Sequence, residues 1–237
     1  MTASTSTPTL SPTTAGIDPT AGFRRVTSAI ALPLGFAFQL ASNVAYGVAT
    51  LGGGSDSDGA SALDLYGRQP GLLTFATFAA IIGVWIIVAG APAALRVLRR
   101  TTPRLALVAT ILLVVGYIGY LGGVGTNFLT VTLAASGLDA AAAMDTASNT
   151  SMLLLGLPFV IGNLLGAILL GIAVLRSGAV PRVAGALILG WPVLHITGLF
   201  AGTEWFAVAG GVLQIIGLSI VARGALRLSN AEWAARG

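Results

Sequence analysis

Residues Gly71 to Arg104 read GLLTFATFAAIIGVWIIVAGAPAALRVLRRTTPR. From Leu72 to Leu95 no residue carries a charge. A helix rising about 1.5 Å per residue crosses the hydrocarbon of a bilayer with about 20 such residues, so this run is long enough to span one. Arg96, Arg99, Arg100 and Arg104 follow at once. They fix that end of the helix at a water-facing, arginine-rich boundary.

The same pattern recurs along the chain. Apolar runs cover Val26 to Leu51, Leu72 to Leu95, Leu105 to Leu121, Ser151 to Leu175, Val183 to Phe200 and Trp205 to Val221. All of the basic residues are arginines, and eleven of the twelve lie in alternate gaps between these runs; only Arg68 falls in a gap of the other parity. Six of the eight acids, Asp56, Asp58, Asp64, Asp139, Asp145 and Glu204, lie in the opposite gaps. The positive-inside rule then predicts an all-α, polytopic membrane bundle of six spans with both termini in the cytoplasm. Tyr46, Tyr120 and Trp205 are expected at the outer boundary and Trp233 at the inner one, where amphipathic rings settle.

Composition agrees with a lipid environment. Mean hydropathy is +0.91 and 8% of residues are charged, against about 25% in a soluble domain. The net charge of +4 follows from the cytoplasmic arginines. It gives no support to nucleic-acid binding, which needs a basic face on a water-soluble module. The chain has no cysteine, and therefore neither a disulfide framework nor a thiolate metal site. The bias toward Arg, Gly and Ala suggests a GC-rich bacterial genome and hence a bacterial plasma membrane.

Residues 1–22 are rich in Ser, Thr and Pro and are expected to form a disordered cytoplasmic tail. The six-helix domain is expected over 23–223, and 224–237 as a short interfacial helix on the cytoplasmic leaflet. Arg24 and Arg25 before an apolar run resemble a signal peptide, but the run is too long and lacks a small-x-small cleavage site, which favours a retained first helix. Within 122–150, Asn127 to Ala135 is apolar enough to prolong the third helix, and Leu138 to Thr146 reads as a short interfacial helix. Leu32-Pro33 and Leu157-Pro158, each followed by an amide at Gln39 or Asn163, raise the question of an inverted repeat.

Few polar residues lie within the spans. Gln39, Asn43 and Tyr46 are spaced i, i+4, i+7 and share one helix face. Asn163 sits between Gly162 and Gly166, a small-xxx-small pair that admits a neighbouring backbone. Gln214 shares a face with Gly210 and Gly217. His195 follows Pro192, which frees the carbonyl of Ile188. Two readings of Gln39, Asn43, Asn163, His195 and Gln214 stay open. They are either interhelical hydrogen bonds that hold the bundle together, or the lining of an outward-facing polar cavity formed by the first, fourth, fifth and sixth helices. Glu204 reads as a solvated residue at a helix start, beside the positive end of the dipole.

Several chemistries lack their parts. One histidine and no cysteine cannot complete a bis-histidine haem or a usual zinc site, so neither cofactor nor metal is expected. No Asp, Glu, Lys or Arg lies at mid-membrane depth to relay charge for a proton- or sodium-coupled pump; His195 is expected in the outer half. Neither a P-loop nor a G-x-S-x-G elbow occurs. Gly123-Val124-Gly125 follows a membrane helix instead of a strand and lacks the third glycine of a dinucleotide site.

Gly171 to Gly190, GIAVLRSGAVPRVAGALILG, resembles the helix, arginine-proline turn and helix of a family of multi-spanning membrane proteins of high-GC bacteria. Arg176 ends one helix, Pro181 breaks the chain and Arg182 anchors the next. The resemblance covers about the last three helices and implies a membrane location; it brings no activity with it. The sequence therefore suggests an accessory or binding membrane protein, with a small-solute or lipid transporter and an intramembrane enzyme as alternatives. Lipid is the expected partner, with self-association or another membrane protein as a further one.

Overall fold

A computed structural model describes residues 18–237, in which the regular secondary structure is helical. The tail expected over 1–22 lies, for residues 1–17, outside the described residues. Six helices are long and apolar enough to cross a membrane: α1 (Ala21–Thr50), α3 (Pro70–Leu98), α4 (Pro103–Ser136), α6 (Leu157–Ser177), α7 (Arg182–Ala201) and α8 (Trp205–Leu226). A π turn, Met152–Gly156, leads into α6. Three shorter helices, α2 (Gly59–Arg68), α5 (Ala141–Ser151) and α9 (Asn230–Ala235), lie outside the spans. The chain is an all-α, multi-pass membrane bundle.

Each span packs against the next in the chain, and α8 returns to α1, so the six form a ring in chain order. Short links at 99–102, 178–181 and 202–204 impose antiparallel neighbours. Gly178 and Gly202 end α6 and α7 with φ of 62° and 63°, a left-handed turn that glycine adopts without a Cβ clash. Pro33 lies in the interior of α1, whereas Pro158 lies in the first turn of α6.

Large apolar side chains face outward, as lipid requires: Trp85 is 64% exposed and Phe200 90%. At mid-depth the interior of the ring is filled, and a separate depression of about 590 Å³ lined by Arg100, Arg223, Arg227 and Arg236 opens at the arginine-rich face. Val84, Ile87, Leu170, Ile188, Leu218 and Val221 are each at most 2% exposed and belong to one continuous core. The glycines flanking Asn163 set the approach of α6 to α4: a Cβ on Gly162 would lie 2.5 Å from the Leu112 carbonyl oxygen, and one on Gly166 2.8 Å from Leu113.

The opposite face carries the loops. With 34 residues, α4 is about 51 Å long against about 30 Å of hydrocarbon, so its last turns rise beyond the other spans, as the apolar run to Ala135 suggested. There α2, which the sequence did not reveal, packs against α4 and α5. Ser61 N–H donates to the Asp58 carboxylate at 2.8 Å, capping α2, and Gly59 N–H donates to Asp145 Oδ1 at 2.6 Å. A carboxylate from α5 thus sits at the positive end of the α2 dipole. Arg68 pairs with Asp64 at 2.6 Å and donates to the Gly53 carbonyl at 3.0 Å, so the arginine of exceptional parity is held locally.

The C-terminal segment forms a short helix that packs on the end of the bundle. Helix α8 continues to Leu226, past the expected division at 223, and α9 docks on the bundle with Trp233 1% exposed. The Arg96 guanidinium lies 4.5 Å from the Trp233 ring centre and donates to the Trp233 carbonyl at 2.8 Å; Arg99 donates to the Arg236 carbonyl at 2.8 Å. The cause is complementary chemistry at helix ends: arginines closing α3 donate to carbonyls at the C-terminal end of α9.

Candidate functional site

On the loop side of the packed core the ring encloses a cavity of about 350 Å³, and Gln39, Asn43, Asn163, His195 and Gln214 all line it. Helix α1 contributes Gln39, Asn43 and Tyr46 from the one face their spacing implied. Asn163 comes from α6, His195 from α7 and Gln214 from α8. Helices α3 and α4 also contribute walls, so six spans bound the cavity where four were expected.

Phe36 and Tyr117 are among its deepest lining residues, their rings edge-on with centres 5.6 Å apart. Beyond them lies the filled core. At the other end Asp56, Tyr66 and Glu204 surround the mouth, which adjoins a depression of about 510 Å³ between the end of α1 and the α7–α8 turn; Tyr46 and Glu204 border both spaces.

The five polar residues do not share one role. Gln39 Nε2 donates to the Ala80 carbonyl at 2.8 Å, a buried bond joining α1 to α3. Gly83 makes the room, since a Cβ there would come within 2.7 Å of that nitrogen. Gln39 is therefore an interhelical tie. Asn163 is 4% exposed, yet its Oδ1 has no hydrogen-bond partner among the described residues, and neither does His195 Nδ1. For the histidine, a bond to a neighbouring amide or to the Ile188 carbonyl was one of the two readings left open. Its ring stacks instead on Trp191, with centres 5.0 Å apart and planes 13° apart. A buried acceptor left unpaired costs about 1–3 kcal/mol, so these two atoms are poor candidates for structural ties, although the Asn163 side chain also lies beside the Tyr117 hydroxyl of α4.

The aromatic part of the lining escaped the sequence reading. Tyr117, Tyr120, Val124 and Asn127 follow one another at steps of three, four and three, a helical face legible in retrospect. Tyr120 was expected at the membrane boundary. It lies half-buried in the cavity wall, stacked on Phe159 with ring centres 4.3 Å apart.

Charge at the site is one-sided, because among the described residues the lining includes two carboxylates and no arginine. Tyr46 donates its hydroxyl hydrogen to Asp56 Oδ1 at 2.7 Å. Glu204 is not the solvated helix-start residue expected. Its side chain makes no capping bond to α8, it is half-buried, and burial first and the neighbouring Asp56 carboxylate second hold its carboxyl above the ordinary value. Burial likewise raises the Tyr66 phenol, with Asp56 adding to the shift. Among the described residues no group of three or more His, Asp or Glu side chains converges. The arrangement offers hydrogen-bond acceptors, aromatic faces and negative potential in a space open at one end. Comparison with known protein families, curated proteins and solved structures finds no match.

Proposed function

We propose that this chain is a ligand-binding protein of a bacterial plasma membrane, with its arginine-rich face and both termini in the cytoplasm and its cavity opening outside. The observation that carries the reading is Asn163: a nearly buried amide held at a close α4–α6 contact, lining a cavity, with its oxygen unpaired. An amide kept only as a tie would be expected to have its acceptor satisfied within the bundle. The volume falls at the lower end of small-molecule sites, which run about 300–1,000 Å³.

A transport cycle needs access from both faces. Leu170, Ile188 and Leu218 fill the ring on the arginine side, and this favours binding at a one-ended site over a through-path. Enzymatic chemistry would need an activated nucleophile or an acid–base pair in register with a substrate. The lining supports neither as directly as it supports recognition.

The experiment is a melting-temperature screen of the purified protein in detergent against a chemically diverse panel of small molecules. It compares wild type, Asn163→Leu and His195→Leu. If the residues recognise a ligand, both variants melt at or above the wild-type temperature and lose the shift that a hit compound gives the wild type. If they are ties, both melt lower and no compound distinguishes them from wild type.

A further inference from the structure

We propose that the cavity takes a small primary or secondary ammonium ion bearing an apolar, preferably aromatic, group. The inference rests on the reading of the cavity as a ligand site and names the ligand class.

Three features converge on it. The first is charge. Asp56 and Glu204 border the mouth, and among the described residues no arginine lines the cavity to neutralise them. Arg68, the arginine on the loop-bearing side, is engaged with Asp64 and the Gly53 carbonyl. An anion entering past two carboxylates would be repelled, whereas a cation would be drawn in and its field focused by apolar walls.

The second feature is the ring faces. Tyr117, Tyr120, Phe159 and Trp191 lie within the same lining, and an ammonium ion over such faces gains cation–π attraction that strengthens when water is excluded. An aryl group on the ligand has the same rings to stack on.

The third feature separates an N–H cation from a quaternary one. Asn163 Oδ1 accepts hydrogen bonds and cannot donate, and His195 Nδ1 is an acceptor in the tautomer that carries its proton on Nε2. Both are buried and unpaired among the described residues. A primary ammonium offers three N–H donors, enough for both acceptors with one left for water or a carboxylate. A trimethylammonium offers none and would leave both unsatisfied. A neutral alcohol could serve one acceptor but leaves the carboxylates at the mouth without a counter-charge. A space of about 350 Å³ holds about a dozen waters at their liquid volume, which suits an arylalkylamine and excludes a long polyamine lying wholly inside.

Binding is measured on the full-length purified protein by calorimetry, with phenethylamine, 2-phenylethanol, phenylacetate and phenethyltrimethylammonium as probes. Phenethylamine is expected to bind saturably, with each other probe at least about tenfold weaker, the loss typical of one missing charge-assisted bond. Glu204→Gln and Asp56→Asn should each weaken phenethylamine by about tenfold, and Asp64→Asn, outside the cavity, should leave its binding unchanged. Equal or tighter binding of the alcohol or the carboxylate overturns the cation, and equal binding of the trimethylated ion overturns the N–H assignment. If none of the four binds while another compound of the diverse panel does, this inference falls and the ligand-site reading stands. If nothing in either set binds, both fall.

Discussion

Gly116 of α4 and Gly162 of α6 meet backbone to backbone: a Cβ built on Gly162 would lie 2.7 Å from the Gly116 Cα, and one built on Gly116 would lie 2.8 Å from the Asn163 nitrogen. The contact presents Asn163 to the cavity while bringing two helices closer than any side chain would allow. Gly162→Ala should therefore force α4 and α6 apart and destabilise the bundle by about 1–3 kcal/mol, the usual cost of overpacking. Thermal melting in detergent checks this. Unchanged melting would mean that the helices are not in close contact there.

The half-buried Glu204 gives a signed pH dependence. Glu204 titrates above its ordinary 4.5 in the folded protein, from burial first and then from Asp56. The folded state thus holds this proton more tightly than the unfolded one. The stability it contributes is fully present below 4.5 and is lost as pH rises through the raised value. Besides Asp56, the phenols of Tyr46 and Tyr120 face the same carboxylate. Glu204→Gln should show a weaker decline than wild type as pH rises above 4.5. Melting curves across that range measure it, and parallel curves for the two proteins would remove Glu204 as the cause.

Docking of α9 on the arginine face should be worth a measurable amount. Trp233 is 1% exposed beneath the Arg96 guanidinium, and removing a buried tryptophan costs about 3–5 kcal/mol when the site cannot collapse. Trp233→Ala should lower the melting temperature and make the last residues sensitive to protease. If α9 instead floats on lipid, the substitution should change neither in detergent.

Orientation can be read directly because the chain has no cysteine. Ser57 and Ala231 are exposed on opposite faces of the bundle, and Ala231 is preferable to Ser229, whose hydroxyl caps α9. In intact cells an impermeant thiol reagent should modify Ser57→Cys and spare Ala231→Cys. The reverse result would invert the topology.

The spans were legible because lipid makes a simple demand: a long uncharged run between polar ends leaves little choice of structure, and all six runs proved helical. The polar face of α1 was legible for the same reason, since a helical period puts Gln39, Asn43 and Tyr46 together. Helix α2 was not. It is ten residues of mixed character, and its position depends on Asp145 from a segment distant in sequence. Tyr117 and Tyr120 were hidden in a glycine-rich apolar stretch where tyrosine serves equally as a boundary marker. The docking of Trp233 depended on which carbonyls α3 arginines could reach, a tertiary fact that no local pattern carries.

The most direct test of a one-ended, water-filled site compares two positions on α6 in the purified protein, where both faces are open to reagent. Asn163 lines the cavity, and Ala173, 0% exposed, lies in the filled core on the arginine side. A small charged thiol reagent is expected to modify Asn163→Cys rapidly and Ala173→Cys not at all while the protein stays folded. Protection of both positions would contradict an open cavity at Asn163, and reaction at both would contradict the closed floor.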